Sequence, residues 1–338
     1  MLNYQGKKVL VTGGAGFIGS ELVRQLADAG AQVTVVDNLV NGRRQNLAGL
    51  PEGQVSLHAS DIRDRSQMQF LMQGIDLVFH LAALGVRHSI HSPQENHDVN
   101  ASATLGLLMD ARAADVARFV CVSTSEIYGT GYKVPMDEEH PPFVTTVYGG
   151  SKLAGESYAR AFYSTYGYPT VVIRPFNTYG PHCHHEGDSG EVIPKFMLRA
   201  LTGKPLIVFG DGTQTRDFTN VQDTAYGILL AGLAENVVGE TINIGNGEEM
   251  TINALAEQVA AVAGCIDPQI VHDVPRPGDN LRLYADIGKA RRLLGYAPRV
   301  SLVDGLQQLK DWYLNQEKSL EELLAEELVY NWQAEDKN

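Results

Sequence analysis

Residues 9–23 read VLVTGGAGFIGSELV: a β-branched run, a glycine loop and an amphipathic stretch in immediate succession. Gly13, Gly16 and Gly19 permit a tight turn and a close backbone approach. The helix predicted to follow presents free N–H groups and a positive dipole end to an anion such as a pyrophosphate. The next apolar run, QVTVVDN, ends near Asp37. A carboxylate there can hydrogen-bond both hydroxyls of a ribose and repels a 2′-phosphate, which favours NAD over NADP. Arg43 and Arg44 lie close enough to keep NADP open. A glycine pattern alone is weak evidence. In a strand–turn–helix context, with an acid at the end of the second strand, it predicts dinucleotide binding.

Further strand-like runs follow: VSLHASD, DLVFHLAA, RFVCVSTS and TVVIRPFN, most of them separated by helical patterns such as NASATLGLLMDARAAD. Alternating strand and helix predicts an α/β fold with a doubly wound parallel sheet. Residues 178–217 change character and are rich in Gly, Pro, His and Asp, after which QDTAYGILLAGLAE and ETINIG return to the sheet. The expected organisation is a Rossmann dinucleotide-binding domain of residues 1–176 plus about 218–247. A smaller substrate-binding lobe takes about 177–217 plus 248–315. Residues 316–338 form an acidic C-terminal tail, helical or frayed.

The 338 residues carry a net charge of −13, which argues against a nucleic-acid partner. Three cysteines, Cys121, Cys183 and Cys265, suggest a reducing compartment without a disulfide framework. No apolar run approaches the roughly 18 residues of a membrane-spanning helix. The start, MLNYQGKKVLV, lacks the apolar region of a signal peptide. A soluble, cytoplasmic protein with no membrane partner is expected. The loop PHCHHEGDSGE gathers His182, Cys183, His184, His185, Glu186 and Asp188. Adjacent residues converge poorly on one tetrahedral ion, so no metal is expected. The loop should instead border the substrate site.

The stretch TTVYGGSKLAGE places Tyr148 four residues before Lys152, on one face of a helix whose start is weakened by two glycines. A free phenol, with a pKa of about 10, is a poor base at neutral pH. A nearby ammonium favours the phenolate, which would make Tyr148 a general base.

With these motifs go Asp37-Asn38-Leu39, Asp61-Ile62, HLAA (80–83), STSEIYG (123–129), RPFNTYGP (174–181), GDGTQTRDF (210–218), NIGNG (243–247) and RPGD (276–279). Together they resemble the extended short-chain dehydrogenases/reductases, the nucleotide-sugar epimerases, dehydratases and decarboxylases, with UDP-glucose 4-epimerase the nearest general likeness. The resemblance spans about residues 7–315. It implies that Gly13, Gly16, Phe17, Ile18 and Gly19 hold the pyrophosphate of NAD. Asp37 and Asn38 would bind the adenosine ribose, and Asp61 with Ile62 the adenine. Leu81, Ala82, Ala83, Asn100 and Ser123 would line the cofactor channel. Thr124 and Glu126 would join Tyr148 in catalysis, with Lys152 holding the nicotinamide ribose and depressing the tyrosine pKa. Ser125, Asn177, Val192, Gln214, Arg216, Arg276 and Asp279 would contact a nucleotide-diphosphate sugar, expected to be UDP-linked. The resemblance also implies a homodimer, built where helices at about 95–115 and 148–166 pair with their copies.

The family shares one first step, oxidation of the sugar at a hydroxyl-bearing carbon, and diverges in the fate of the ketone. Thr124-Ser125-Glu126 departs from the Asp–Glu pair of 4,6-dehydratases, and a serine is far too weak an acid to substitute simply. The typical glucose epimerase lacks the glutamate. Decarboxylases resemble Thr-Ser-Glu but usually carry Ala or Ser where Asp217 stands. The sequence favours a 4-epimerase acting on a UDP-hexose, a UDP-hexuronate or a UDP-N-acetylhexosamine. Dehydratase and decarboxylase remain as alternatives, and a non-catalytic NAD sensor is a further one.

Overall fold

The computed structural model describes residues 3–131, 133–276 and 279–332. Seven strands form one sheet: β1 (Lys8–Thr12), β2 (Gln32–Asp37), β3 (Val55–Ala59), β4 (Leu77–His80), β5 (Arg118–Val122), β6 (Thr170–Pro175) and β7 (Thr241–Ile244). Their order is β7-β6-β5-β4-β1-β2-β3, and every neighbouring pair is parallel. These are the seven apolar runs of the sequence. The inner strands read as near-continuous hydrophobic stretches because both of their faces are covered, whereas β3, at the edge, alternates and has no fully buried residue. Side chains alternate between the faces. Val9, Val11, Val35 and Phe79 enter one core, whereas Leu10, Val36, Val78 and Phe119 enter the other.

The main helices are α1 (Phe17–Asp28), α2 (Ala103–Ala113), α3 (Val147–Tyr166), α4 (Val192–Leu201), α5 (Val221–Leu233), α6 (Ile252–Ala263) and α7 (Leu302–Leu314). Leu22 and Leu26 of α1 pack with Ile228 and Leu229 of α5 over one face of the sheet. Leu107 of α2 and Ala159 and Phe162 of α3 cover the other. A third core joins Phe196 and Met197 of α4, Leu255 and Val259 of α6, and Leu306 and Leu309 of α7. Among the described residues, the only buried one it takes from the first half of the chain is Phe17, with Ile18 packed against it.

The helix expected at about 95–115 is interrupted. A short helix at Pro93–His97 passes through a π-helical turn at Asp98–Ser102 before α2. Single π turns often mark functional regions. Here the turn lies where Asn96 and Asn100 both point inward, donating to the Leu84 carbonyl at 3.0 and 2.9 Å. The direction of winding reverses between β1 and β4, which opens a crevice at their C-terminal ends. No helix among the described residues is long and apolar enough to cross a membrane.

Candidate active site

At the cofactor end the site is made by backbone. α1 begins after Gly16, and no side chain caps it. Its first-turn amides are therefore available to an anion. Gly13 has φ +71°, and a Cβ there would lie 2.7 Å from the Ala82 nitrogen. A Cβ on Gly19 would lie 2.0 Å from the Gly13 carbonyl oxygen. Both glycines are required, one by conformation and contact, the other by close approach. Asp37 ends β2 and is buried. Its Oδ2 accepts from the Ala15 amide at 3.0 Å and its Oδ1 from the Leu39 amide at 2.9 Å. The second bond holds Leu39 in the left-handed region, φ +62°, which a leucine seldom adopts. Arg43, one of the two arginines that keep NADP open, is ion-paired with Glu186 at 2.7 Å. Asp61 takes the Asn38 amide at 3.3 Å, and hydrogen bonds from Arg63 hold its carboxyl down at about 2.

The residues expected to react follow β5 and lie in the first turns of α3. Thr124 caps the 3-10 turn Ser125–Tyr128 by accepting from the Glu126 amide at 3.2 Å. Thr146 caps α3 through the Gly149 amide at 3.0 Å. This cap positions Tyr148 in the first turn, hydrogen-bonded to the Thr124 side chain. Packing requires neither glycine of Tyr-Gly-Gly-Ser-Lys. A Cβ at Gly149 would make ordinary contacts, and one at Gly150 would meet open space. Gly155 differs, because a Cβ there would lie 2.9 Å from the Asn100 carbonyl oxygen.

The electrostatics correct one expectation. Burial pushes the Tyr148 phenol up to about 12; the Thr124 hydrogen bond acts downward, and the charges of Glu126 and Glu191 act upward. Lys152 does not offset this. Its Nζ donates to the Val122 carbonyl at 2.7 Å, and burial lowers its own pKa. The i,i+4 spacing brings tyrosine and lysine into one cavity, but the ammonium is turned to the end of β5.

At the other end the site is made by long side chains. Arg216 pairs with Asp279 and donates to the Thr215 and Asn280 carbonyls at 2.8 and 2.7 Å. Gln214 donates to the Phe209 carbonyl at 2.8 Å. Arg276 lies over the rings of Trp332 and Phe209, and burial, with Arg87 nearby, lowers it to about 10. Glu126 has no hydrogen-bond partner for its carboxylate among the described residues. Burial raises its pKa against the pull of Arg216, Arg87 and Arg276. Ser123 Oγ, Asn177 Oδ1 and Arg276 Nε are buried without hydrogen-bond partners. Buried polar atoms are rarely left so, and all three residues line one cavity.

One cavity of about 700 Å³ is lined by all the site residues expected from the sequence except Asn100. Val192 and Ser125 contribute to its wall, as do Ile62 and Ala83. Asn100 acts from behind, its amide exchanging bonds with the Leu84 nitrogen and carbonyl, both at 2.9 Å. Sequence reasoning missed Arg87, Glu191, Lys195 and Trp332, which also line the cavity. No local motif marks them. Asp217 is turned away from the cavity. It accepts from Asn246 and Gly247 amides at 2.8 Å and from Ala285 at 3.2 Å, a buried staple between loops. In the histidine-rich loop, His182 packs on Trp312, His185 on Tyr313, and His184 bonds Glu186 at 3.0 Å. Among the described residues no group of three His, Cys, Asp or Glu side chains is arranged to hold a metal ion.

An uncapped helix start, a buried acid at the end of β2 and an orphaned hydroxyl beyond them fit a dinucleotide, and comparison with known proteins agrees. A putative UDP-glucose 4-epimerase of Methanocaldococcus jannaschii is 34% identical over 314 residues, 92% of this chain and 100% of that protein. The epimerase Mth375 of Methanothermobacter thermautotrophicus superposes with a TM-score of 0.88 at 36% identity, covering 95% of each chain. A dTDP-glucose 4,6-dehydratase of Streptomyces venezuelae, solved with NAD bound, gives a TM-score of 0.84 at 36% identity and covers 91% of this chain and 97% of its own. Residues 9–245 match the NAD dependent epimerase/dehydratase family; the chain is an enzyme of that family, and its cofactor is NAD.

Proposed function

We propose that the chain is a nucleotide-sugar 4-epimerase, acting on a UDP-hexose, UDP-hexuronate or UDP-N-acetylhexosamine through a transient 4-keto sugar. The observation that carries this reading is the composition of the turn beside Tyr148. Thr124 bonds the phenol, Ser125 stands where a dehydratase carries its acid, and Glu126 is held among three arginines. Bound NAD supplies the hydride acceptor and donor, and its cationic ring favours the phenolate of Tyr148. Tyr148 removes the hydroxyl proton and later returns it. Thr124 aligns the reacting oxygen with the phenol. Arg216 and Arg276 suit the diphosphate, since a guanidinium matches phosphate oxygens two at a time. The glycine loop with its sheet and the third core then form cofactor and substrate lobes on either side of the cavity.

A second reading, a dehydratase, draws on Glu191. Its carboxyl lines the same cavity, acts on Tyr148, and is pushed up by burial against the pull of His184 and Arg87. It could supply the acid that Ser125 lacks. Incubation with UDP-glucose, UDP-N-acetylglucosamine, UDP-glucuronate and their galacto epimers decides between the readings. Unchanged mass with inverted C4 by NMR is the epimerase result. Loss of water or carbon dioxide assigns the dehydratase or decarboxylase instead.

A homodimer through α2 and α3 is part of the proposal. Met109, Val147, Tyr163 and Tyr166 are exposed there, and the free space at Gly150 would admit a close approach. Light scattering at monomer mass over a wide concentration range would refute it.

A further inference from the structure

The last described segment is tied down across the loop that borders the cavity. After a short helix at Leu320–Leu324, the Glu326 carbonyl accepts from the Gly187 amide at 2.9 Å. Glu327 pairs with Arg199 at 2.9 Å, and Lys195 donates to the Leu328 carbonyl at 2.6 Å. Asn331, almost fully buried, donates to the Gly190 and Asp188 carbonyls at 2.9 and 3.3 Å. These bonds deliver Trp332 to the cavity wall. There it meets Phe209 edge to face, centroids 4.6 Å apart, with the Arg276 guanidinium 5.1 Å from the indole centroid. The buried Arg276 Nε has no partner.

We propose that the C-terminal tail completes the nucleotide-sugar site. Trp332 and Phe209 form the aromatic wall against which the base of a pyrimidine nucleoside diphosphate packs, and Trp332 positions Arg276 for the diphosphate. The proposal rests on the nucleotide-sugar reading given above. A guanidinium over an indole face is held by the ring's charge distribution, which leaves its donor edge free for phosphate oxygens. An aromatic wall recognises a base through its π face, and a phosphate group offers it nothing.

The test is calorimetric titration of the NAD-loaded protein with UDP and, separately, with inorganic pyrophosphate. Trp332→Ala should weaken UDP binding about 5- to 150-fold, the range for losing an aromatic that stacks on a base. Pyrophosphate should lose less, because only the positioning of Arg276 is affected. Trp332→Phe should recover most of the UDP affinity, and NAD content should not change in either variant. A UDP affinity within about twofold of wild type in a folded Trp332→Ala variant overturns the proposal. If that variant does not fold, Trp312→Phe leaves Trp332 as the sole indole of the chain, which has two tryptophans. UDP should then change its fluorescence, and an unchanged spectrum at saturating UDP overturns the proposal. Wild-type protein that binds neither UDP nor TDP overturns the nucleotide-sugar reading together with this one. UDP binding that ignores Trp332 overturns this one alone.

Discussion

The two ends of the cavity are built from different materials. The cofactor end is backbone: an uncapped helix start, two glycines that admit no Cβ, and an aspartate fixed by two amides. The opposite end is side chain: Arg87, Arg216 and Arg276 act on Glu126, and Glu191, which Arg87 also pulls on, lines the same cavity. Backbone geometry set by a sheet tolerates little change and serves one ligand. Long side chains on loops can be exchanged singly, which suits an end that differs between enzymes sharing a first step.

That contrast can be broken at four points of decreasing effect. Tyr148→Phe should lower kcat about 100- to 10,000-fold while NAD remains bound, because it removes the general base and no backbone contact. Single-turnover reduction of NAD by substrate checks this, and near-wild-type reduction would contradict the assigned base. The same group sets the pH profile. A phenol raised by burial is mostly protonated at neutral pH, so kcat/KM should fall as pH falls, about tenfold per unit. Thr124→Val, which removes the hydrogen bond acting downward, should displace the profile to higher pH.

Gly19→Ala comes next. With a Cβ 2.0 Å from the Gly13 oxygen, the loop must shift at a cost of about 1–3 kcal/mol. The loss should appear in NAD affinity, measured by equilibrium titration, and little in UDP affinity. Arg276→Lys should do the reverse, raising KM for the nucleotide sugar about tenfold by losing the planar fork, with NAD affinity unchanged.

The smallest effect concerns cofactor choice. Glu186 is the ion-pair partner of Arg43. Glu186→Gln should improve NADP relative to NAD by no more than about fivefold, the scale of an exposed ion pair. Burial acts upward on Glu186, but His184 and Arg43 together hold its carboxyl well below the usual range. A depressed acid contributes stability above its unfolded pKa of about 4.3 and loses it as pH falls. The difference between wild type and Glu186→Gln in thermal melts should therefore be present at neutral pH and vanish in acid.

The same contrast explains what could be read from the sequence. The seven strands of the main sheet were legible: the inner ones as near-continuous apolar runs covered on both faces, the edge strand β3 by its alternating Val55 and Leu57. The glycine loop and Asp37 were legible because the geometry that fixes them is local. Arg87, Glu191 and Trp332 were not, since their meeting depends on chain segments far apart in sequence, and a lone arginine or tryptophan carries no pattern. The spacing of Tyr148 and Lys152 was legible but their electrostatics were not. Burial and the Val122 carbonyl, neither of them local in sequence, decide those. Asp217, a departure from the decarboxylase pattern in sequence, proves in the structure to be a staple for three backbone amides.

The central claim is that the ketone formed beside Tyr148 is reduced again at the carbon it came from. A UDP-sugar that turns over, labelled with deuterium at C4, tests this directly. Mass spectrometry with NMR of the product should show the deuterium retained at C4 of the inverted sugar, with no change in mass. Deuterium found at C6 of a product lighter by one water would contradict the account and make the chain a dehydratase.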